Sequence, residues 1–387
     1  MTTPIASALA ADVPGRIARV QAAMRDAGVD ALLVHGHGSP DGMGLVRYLA
    51  NARAWAGRIY AVLGRTDPAP GVLSHSGYQA AWTRAAVFGR PERVESPADL
   101  IGRTAALLRE AAGLGGRIGV AGLQRLTLAE HAAFTAALDG RPLVDMTAPV
   151  DALRRRKSAA EVAAFRENGD ILDRAIAVFG RAARVGAPCA AACAAAEAEV
   201  RAHGGFWGRS KLAFGASPIT IPPEPDRRFG DGDVFTFELV FESPHGYWTE
   251  MTALFAFGPL PAEAAALHDA YLAAFEAARA AARPGVTMGE IAALTDATIA
   301  SRGFAVGGKH TPDCHSIGLD GGDGPGSIAS PETVLAEDMV LSMHPGTQLA
   351  DGRAFLVSDN VLVTPDGGVR LSGLGLDRRF VRLPVAS

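Results

Sequence analysis

The chain has 387 residues, 48% of them hydrophobic and 20% charged, with 37 Lys and Arg against 41 Asp and Glu. That length exceeds what one hydrophobic core comfortably fills, so two domains are expected, each with a core of its own. The near-balanced charge excludes both the profile of a disordered chain and the basic footprint of a nucleic-acid binder, leaving a small molecule as the expected partner.

Residues 1–16 carry no basic segment ahead of an apolar core, and charges interrupt the Ala-rich stretches well short of a membrane span. A cytoplasmic protein without membrane contact is therefore expected. An amphipathic helix near Arg16–Ala27 leads into the apolar run Ala31–Val34, which ends in His35-Gly36-His37. Strands are expected at Ile59–Leu63 and Ile118–Ala121, and helices around Ser76–Val87, Pro97–Ala112 and Leu128–Leu138. This alternation describes an α/β domain over residues 1–150. The second domain, 151–387, opens on a long helix from Ser158 to about Arg184, where Ser158 caps and Glu161 returns the reciprocal hydrogen bond. A helix over Pro188–Ala202 carries Cys189 and Cys193, one turn apart. With Cys314 they number three, too few for a disulfide framework, so reduced thiols are expected. Strands follow at Val234–Val240, Tyr247–Phe257, Met339–Met343 and Phe355–Val363, with helices at Pro261–Ala282 and Thr287–Ser301. Helices flanking an antiparallel sheet make this half α+β.

Several blocks of the second half resemble, in order, those of the creatinase, prolidase and aminopeptidase P superfamily. They are the stretch Leu153 to Glu161, Gly232-Asp233-Val234, Gly246-Tyr247-Trp248-Thr249-Glu250, His315-Ser316-Ile317-Gly318-Leu319, Met339 to Gly346, and Val357 to Thr364. The resemblance implies the pita-bread catalytic domain of that superfamily, preceded by its smaller α/β companion domain, and a homodimer. In metal-dependent members two Asp, one His and two Glu hold a pair of divalent ions. Carried over by position, those ligands fall on Glu238, Glu250, His315, His344 and Ser358, and only His315 keeps the family residue. A neutral hydroxyl at Ser358 is a poor substitute for a bridging carboxylate, so a full dinuclear site is not expected. The spacing of Glu238 and Glu250 implies a bulge or insertion near Ser243-Pro244-His245. The family's catalytic His aligns near Thr220 and is absent. Arg47-Tyr48-Leu49 resembles a strand whose surroundings reach a partner's active site in creatinase, which makes Trp55 and Arg58 candidate substrate contacts.

Read without the family, Glu238 stands out because it lies in the apolar run Val234 to Val240, where a carboxylate is costly unless paired or metal-bound. His344 ends an expected buried strand. Together with His315 and Glu250 it composes a two-His, one-carboxylate set suited to a single Fe, Zn or Mn ion. His310 and His245 are either acid/base groups or exposed loop residues. Asp323 either orients a ligand or serves the turn of its Gly-rich loop. Asp359 replaces the lost ligand at Ser358 only if the strand register shifts. Cys314 beside His315 is read as a packed thiol, because adjacency in sequence does not aim a base at it.

These readings assemble into a hydrolase cleaving a C–N bond of a small non-peptide or modified amino-acid substrate. Glu250, His315 and His344, supported by Glu238, surround one metal, and His310, Glu238 or His245 moves the proton. Asp323, Asp359, Trp55 and Arg58 contact substrate. Two alternatives stay open: a metal-independent hydrolase or lyase, and a non-catalytic binding protein of the same fold.

Overall fold

In a computed structural model the described residues are 3–38, 42–88, 90–215, 223–306, 314–323, 330–345, 357–374 and 380–384. The chain divides into two compact units, Met1–Arg155 with Gly318–Ser327, and Arg156–Ile317 with Ile328–Ser387. The expected boundary at 150/151 falls inside the helix Thr147–Arg155.

Among the described residues the first unit has six α-helices: α1 (Pro4–Asp26), α2 (Gly44–Ala50), α3 (Gly77–Ala86), α4 (Leu100–Ala112), α5 (Leu128–Ala137) and α6 (Thr147–Arg155). Its strands are β1 (Ala31–His37), β2 (Arg58–Gly64), β3 (Gly71–Ser74), β4 (Val94–Glu95), β5 (Ile118–Ala121) and β6 (Leu143–Asp145). They form one mixed sheet in the order β4-β3-β2-β1-β5-β6. Side-chain caps start the helices where expected, with Ser76 accepting from Gln79, Asp99 from Gly102, and Thr127 forming a capping box with Glu130. Arg47-Tyr48-Leu49, matched above to a strand, lies in α2, where every residue is buried. A seven-residue segment buried on all sides has no polar face to mark its period, so helix and strand are indistinguishable from pattern alone.

The second unit contains α7 (Ala159–Ala182), α8 (Cys189–Ala202), α9 (Ala262–Ala281) and α10 (Met288–Ser301). One of its sheets has the order β14-β9-β8-β7, from β7 (Gly208–Phe214), β8 (Val234–Glu242), β9 (Trp248–Phe257) and β14 (Phe380–Leu383). The other has the order β10-β11-β12-β13, from β10 (Cys314–Ser316), β11 (Val340–Met343), β12 (Asp359–Thr364) and β13 (Gly367–Arg370). Ser158 caps α7 with the expected box to Glu161. The pairing of β8 with β9 runs unbroken from Val234 opposite Ala256 to Glu242 opposite Trp248, so of the two expected alternatives, a bulge or an insertion, the ladder has no bulge and residues 243–247 form the connecting loop.

Strand alternation splits the first of these sheets into two faces. Phe235, Phe237, Leu239, Phe241, Met251 and Phe255 pack against α7 and α8 in one core. Leu254, one residue out of phase with Phe255, belongs to a second core formed with α9, α10 and the other sheet. The polar residues Glu238, Glu250 and Thr252 share this second face, because Glu238 opposes Thr252 and Val240 opposes Glu250. The two sheets meet where Ser358 N–H donates to Thr252 Oγ1 at 2.7 Å and Asn360 Nδ2 donates to the Glu250 carbonyl at 2.9 Å. Among the described residues no helix is long and apolar enough to cross a membrane.

Candidate metal centre

Glu250 enters from β9, His315 from β10, and His344 from just past the end of β11. Each offers a ligand atom within 4.8 Å of the others. His315 opposes Ser342 in the β10–β11 ladder, and His344 lies two residues beyond Ser342, so period-two alternation brings both imidazoles to one face. Their rings are 5.1 Å apart, and His315 Nε2 is 3.5 Å from Glu250 Oε2.

Hydrogen bonds orient two of the three groups. His315 Nδ1 donates to the Ser316 carbonyl at 3.0 Å, which leaves Nε2 directed at Glu250. Ser342 Oγ donates to Glu250 Oε2 at 3.1 Å. His344 Nδ1 is buried with no hydrogen-bond partner among the described residues. Buried polar atoms are ordinarily paired, so an unpaired imidazole nitrogen beside a second imidazole and a carboxylate fits an ion as the missing partner.

The electrostatics keep this set ready to ligate. Burial alone would raise the Glu250 carboxyl, but the hydrogen bond and charge of His315, with His344 and Lys211 adding to them, hold it at about 2. Burial, reinforced by the charge of His315, lowers His344 to about 4, so its ring is neutral at pH 7. Burial would lower His315 too, but Glu250 outweighs it and raises this imidazole above its ordinary value.

Glu238 does not join the group. Its Oε2 lies 3.0 Å from Lys211 Nζ on the neighbouring strand β7, where the two residues face each other in register. Burial raises the Glu238 carboxyl, Lys211 opposes that rise, and Glu250 adds to it. Sequence reading missed β7 and with it Lys211. Gly208-Arg209-Ser210-Lys211 shows no apolar alternation, and the only available signal was the expected need of Glu238 for a partner.

The other described candidates have contacts of their own. His245, in the β8–β9 loop, has Nε2 2.9 Å from Glu167 Oε2 on α7. Asp359 faces away from Ser358 and Asn360 on its strand, and its Oδ2 accepts from Ser372 Oγ at 2.6 Å. Cys314 is likewise on the face opposite His315, packed in the second core. Asp323 belongs to the first unit, where it and Asp320 each lie 2.8 Å from the buried Arg154 guanidinium. Also in that unit, Arg58 donates to Glu130 at 2.7 Å, and Trp55, 43% exposed, packs on Trp82. His310 and Thr220 lie outside the described residues.

Comparison with known proteins places these features. Residues 16–156 match the creatinase/prolidase N-terminal domain, and residues 163–365 match metallopeptidase family M24. A Bacillus subtilis relative with a provisional dipeptidase name, YkvY, is 25% identical over 243 residues, 61% of this chain and 65% of its own length. A Mycobacterium tuberculosis relative named probable dipeptidase PepE is 28% identical over 278 residues, 65% of this chain and 71% of its own. The chain thus spans about two thirds of these relatives. Among solved structures, the prolidase of Pyrococcus horikoshii superposes with a TM-score of 0.77 at 19% identity, covering 93% of this chain and 99% of its own. Dipeptidase PepE of Mycobacterium ulcerans gives 0.79 at 23% identity, covering 97% and 99%. These structural likenesses carry the fold, an α+β pita-bread domain behind a creatinase-type N-terminal domain. With more than half of its length matched by a single family, the chain belongs to metallopeptidase family M24.

Proposed function

We propose that the chain is a hydrolase of the C–N bond in a short peptide, working at a single divalent cation held by Glu250, His315 and His344. The observation that carries this reading is the convergence of one carboxylate and two imidazoles within 4.8 Å, from strands far apart in sequence. Family M24 is a metallopeptidase family, and relatives named dipeptidases favour a peptide substrate over the non-peptide substrate expected from sequence. Two His and one carboxylate suit Fe, Zn or Mn and leave coordination positions open.

A cation bound there supplies Lewis-acid polarisation of the scissile carbonyl. The chain's own residues do the rest. Ser316 fixes the His315 tautomer, Ser342 fixes the Glu250 carboxylate, and Asn360 anchors the β9 backbone beneath it. Glu238, raised by burial and held by Lys211, is the carboxyl on the same sheet face suited to hold a proton during the reaction. His245 and His310 are not needed for this arrangement.

The test is elemental analysis of protein purified without an affinity tag, combined with chromatographic detection of amino acids released from a panel of dipeptides. About one metal per chain and release abolished by chelator are expected. Turnover that persists in metal-free protein favours the second reading, a metal-independent hydrolase, which the 3.5 Å contact of His315 with Glu250 supports as an acid/base pair. Neither metal nor turnover leaves a binding protein. A homodimer in the cytoplasm completes the proposal, with sedimentation velocity and cell fractionation as its checks.

A further inference from the structure

We propose that Lys211 restricts the centre to one cation by taking Glu238 as its own partner, an inference that rests on the single-cation reading above. Lys211 and Glu238 face each other across β7 and β8, their charged atoms are 3.0 Å apart, and their side chains are only 16% and 6% exposed. Removing either partner of such a pair strands a buried charge, so the two hold each other in place. Glu238 shares a sheet face with Glu250 yet is absent from the cluster whose ligand atoms converge. Its carboxylate is turned toward the ammonium.

Charge and donor supply point the same way. After Lys211 is counted against Glu238, Glu250 is, among the described residues, the one carboxylate that remains for a metal on this face. Ser358, which shares its side of the strand with Asn360, is neutral, and Asp359 is turned to Ser372. Among the described residues a second dication would find an ammonium nearby and no further carboxylate. Lys211 is therefore a positioning residue: it removes Glu238 from the ligand set.

Titration of metal-free protein with Co(II) tests this, with stoichiometry and affinity read from calorimetry and from the visible absorption of bound cobalt. The wild type should saturate at one equivalent. Glu238→Gln should also bind one equivalent, with affinity changed by less than about threefold, whereas a true ligand loss would weaken binding by two orders of magnitude or more. Lys211→Met should release Glu238 and admit a second equivalent, and Lys211→Met combined with Glu238→Gln should return to one. Lys211→Gln, which keeps a neutral donor for Glu238, is the second variant should Lys211→Met not fold; it too should admit a second equivalent, and a folded lysine variant that still binds one overturns the role of Lys211. A wild type that binds two equivalents, or a Glu238→Gln variant that loses the cobalt while the wild type binds one, overturns the role of Lys211 and leaves the metal reading standing. A wild type that takes up no cobalt removes both.

Discussion

Two buried histidines, His35 in the first unit and His344 in the second, are pushed by burial to the same value of about 4, yet their surroundings differ in kind. His35, in the middle of β1, has Nε2 2.8 Å from the Gly122 carbonyl, with the aromatic ring of Tyr60 beside it. His344 stands next to a second imidazole and a carboxylate. A depressed imidazole pKa thus does not by itself mark a site. Convergence of several ligand atoms on one point is what marks a site, since structural positions perturb titration as readily as functional ones.

The strongest way to break this contrast is to truncate each ring. His344→Ala should lower cation affinity by at least about 100-fold, because Glu250 and His315 alone offer too few ligands. His35→Ala should leave cation affinity unchanged while lowering stability. Dialysis against buffered Zn followed by elemental analysis reads both, and equal metal content in the His344→Ala protein and the wild type would end the single-cation proposal.

A pH series sharpens the same comparison on the first unit. His35 is neutral when folded, whereas the unfolded chain takes up a proton below the ordinary value of 6.5. Its share of stability is complete above 6.5 and is lost as pH falls toward 4. Between pH 6.5 and 5 the loss is roughly 2 kcal/mol. In urea unfolding, His35→Gln should be less stable at pH 7 but show a slope against pH that is shallower by that amount. An unchanged slope would place the sensitivity in another group.

Smaller effects should separate the two sets of supporting hydrogen bonds. Ser342→Ala removes the donor to Glu250 and should weaken cation binding by about tenfold, with stability nearly unchanged. Tyr60→Phe removes the 2.7 Å bond to Glu130 near His35 and should lower stability by about 1 kcal/mol, with no effect on the cation. If Tyr60→Phe altered metal affinity as much as Ser342→Ala, the distinction between a structural and a metal-holding histidine would fail.

Local chemistry carried much of the fold in the sequence. Ser158 with Glu161, Thr127 with Glu130 and Thr287 with Glu290 announce helix starts, because a capping box is satisfied by residues three apart whatever the rest of the chain does. The strands bearing Glu238 and Glu250, and the strand that His344 follows, were legible from their apolar content, and the ordered blocks of family resemblance pointed to the candidate group Glu250, His315 and His344. Tertiary structure alone decided the rest. Whether Arg47–Leu49 is helix or strand depended on packing on every side. That Asp359 turns away from the strand face shared by Ser358 and Asn360, and that Glu238 belongs to Lys211, follow from strand register, which pairs Met343 with Asp359 and Lys211 with Glu238, 16 and 27 positions apart. Pairing between strands is non-local, and a shift of one residue exchanges the two faces, so no window of sequence contains that information.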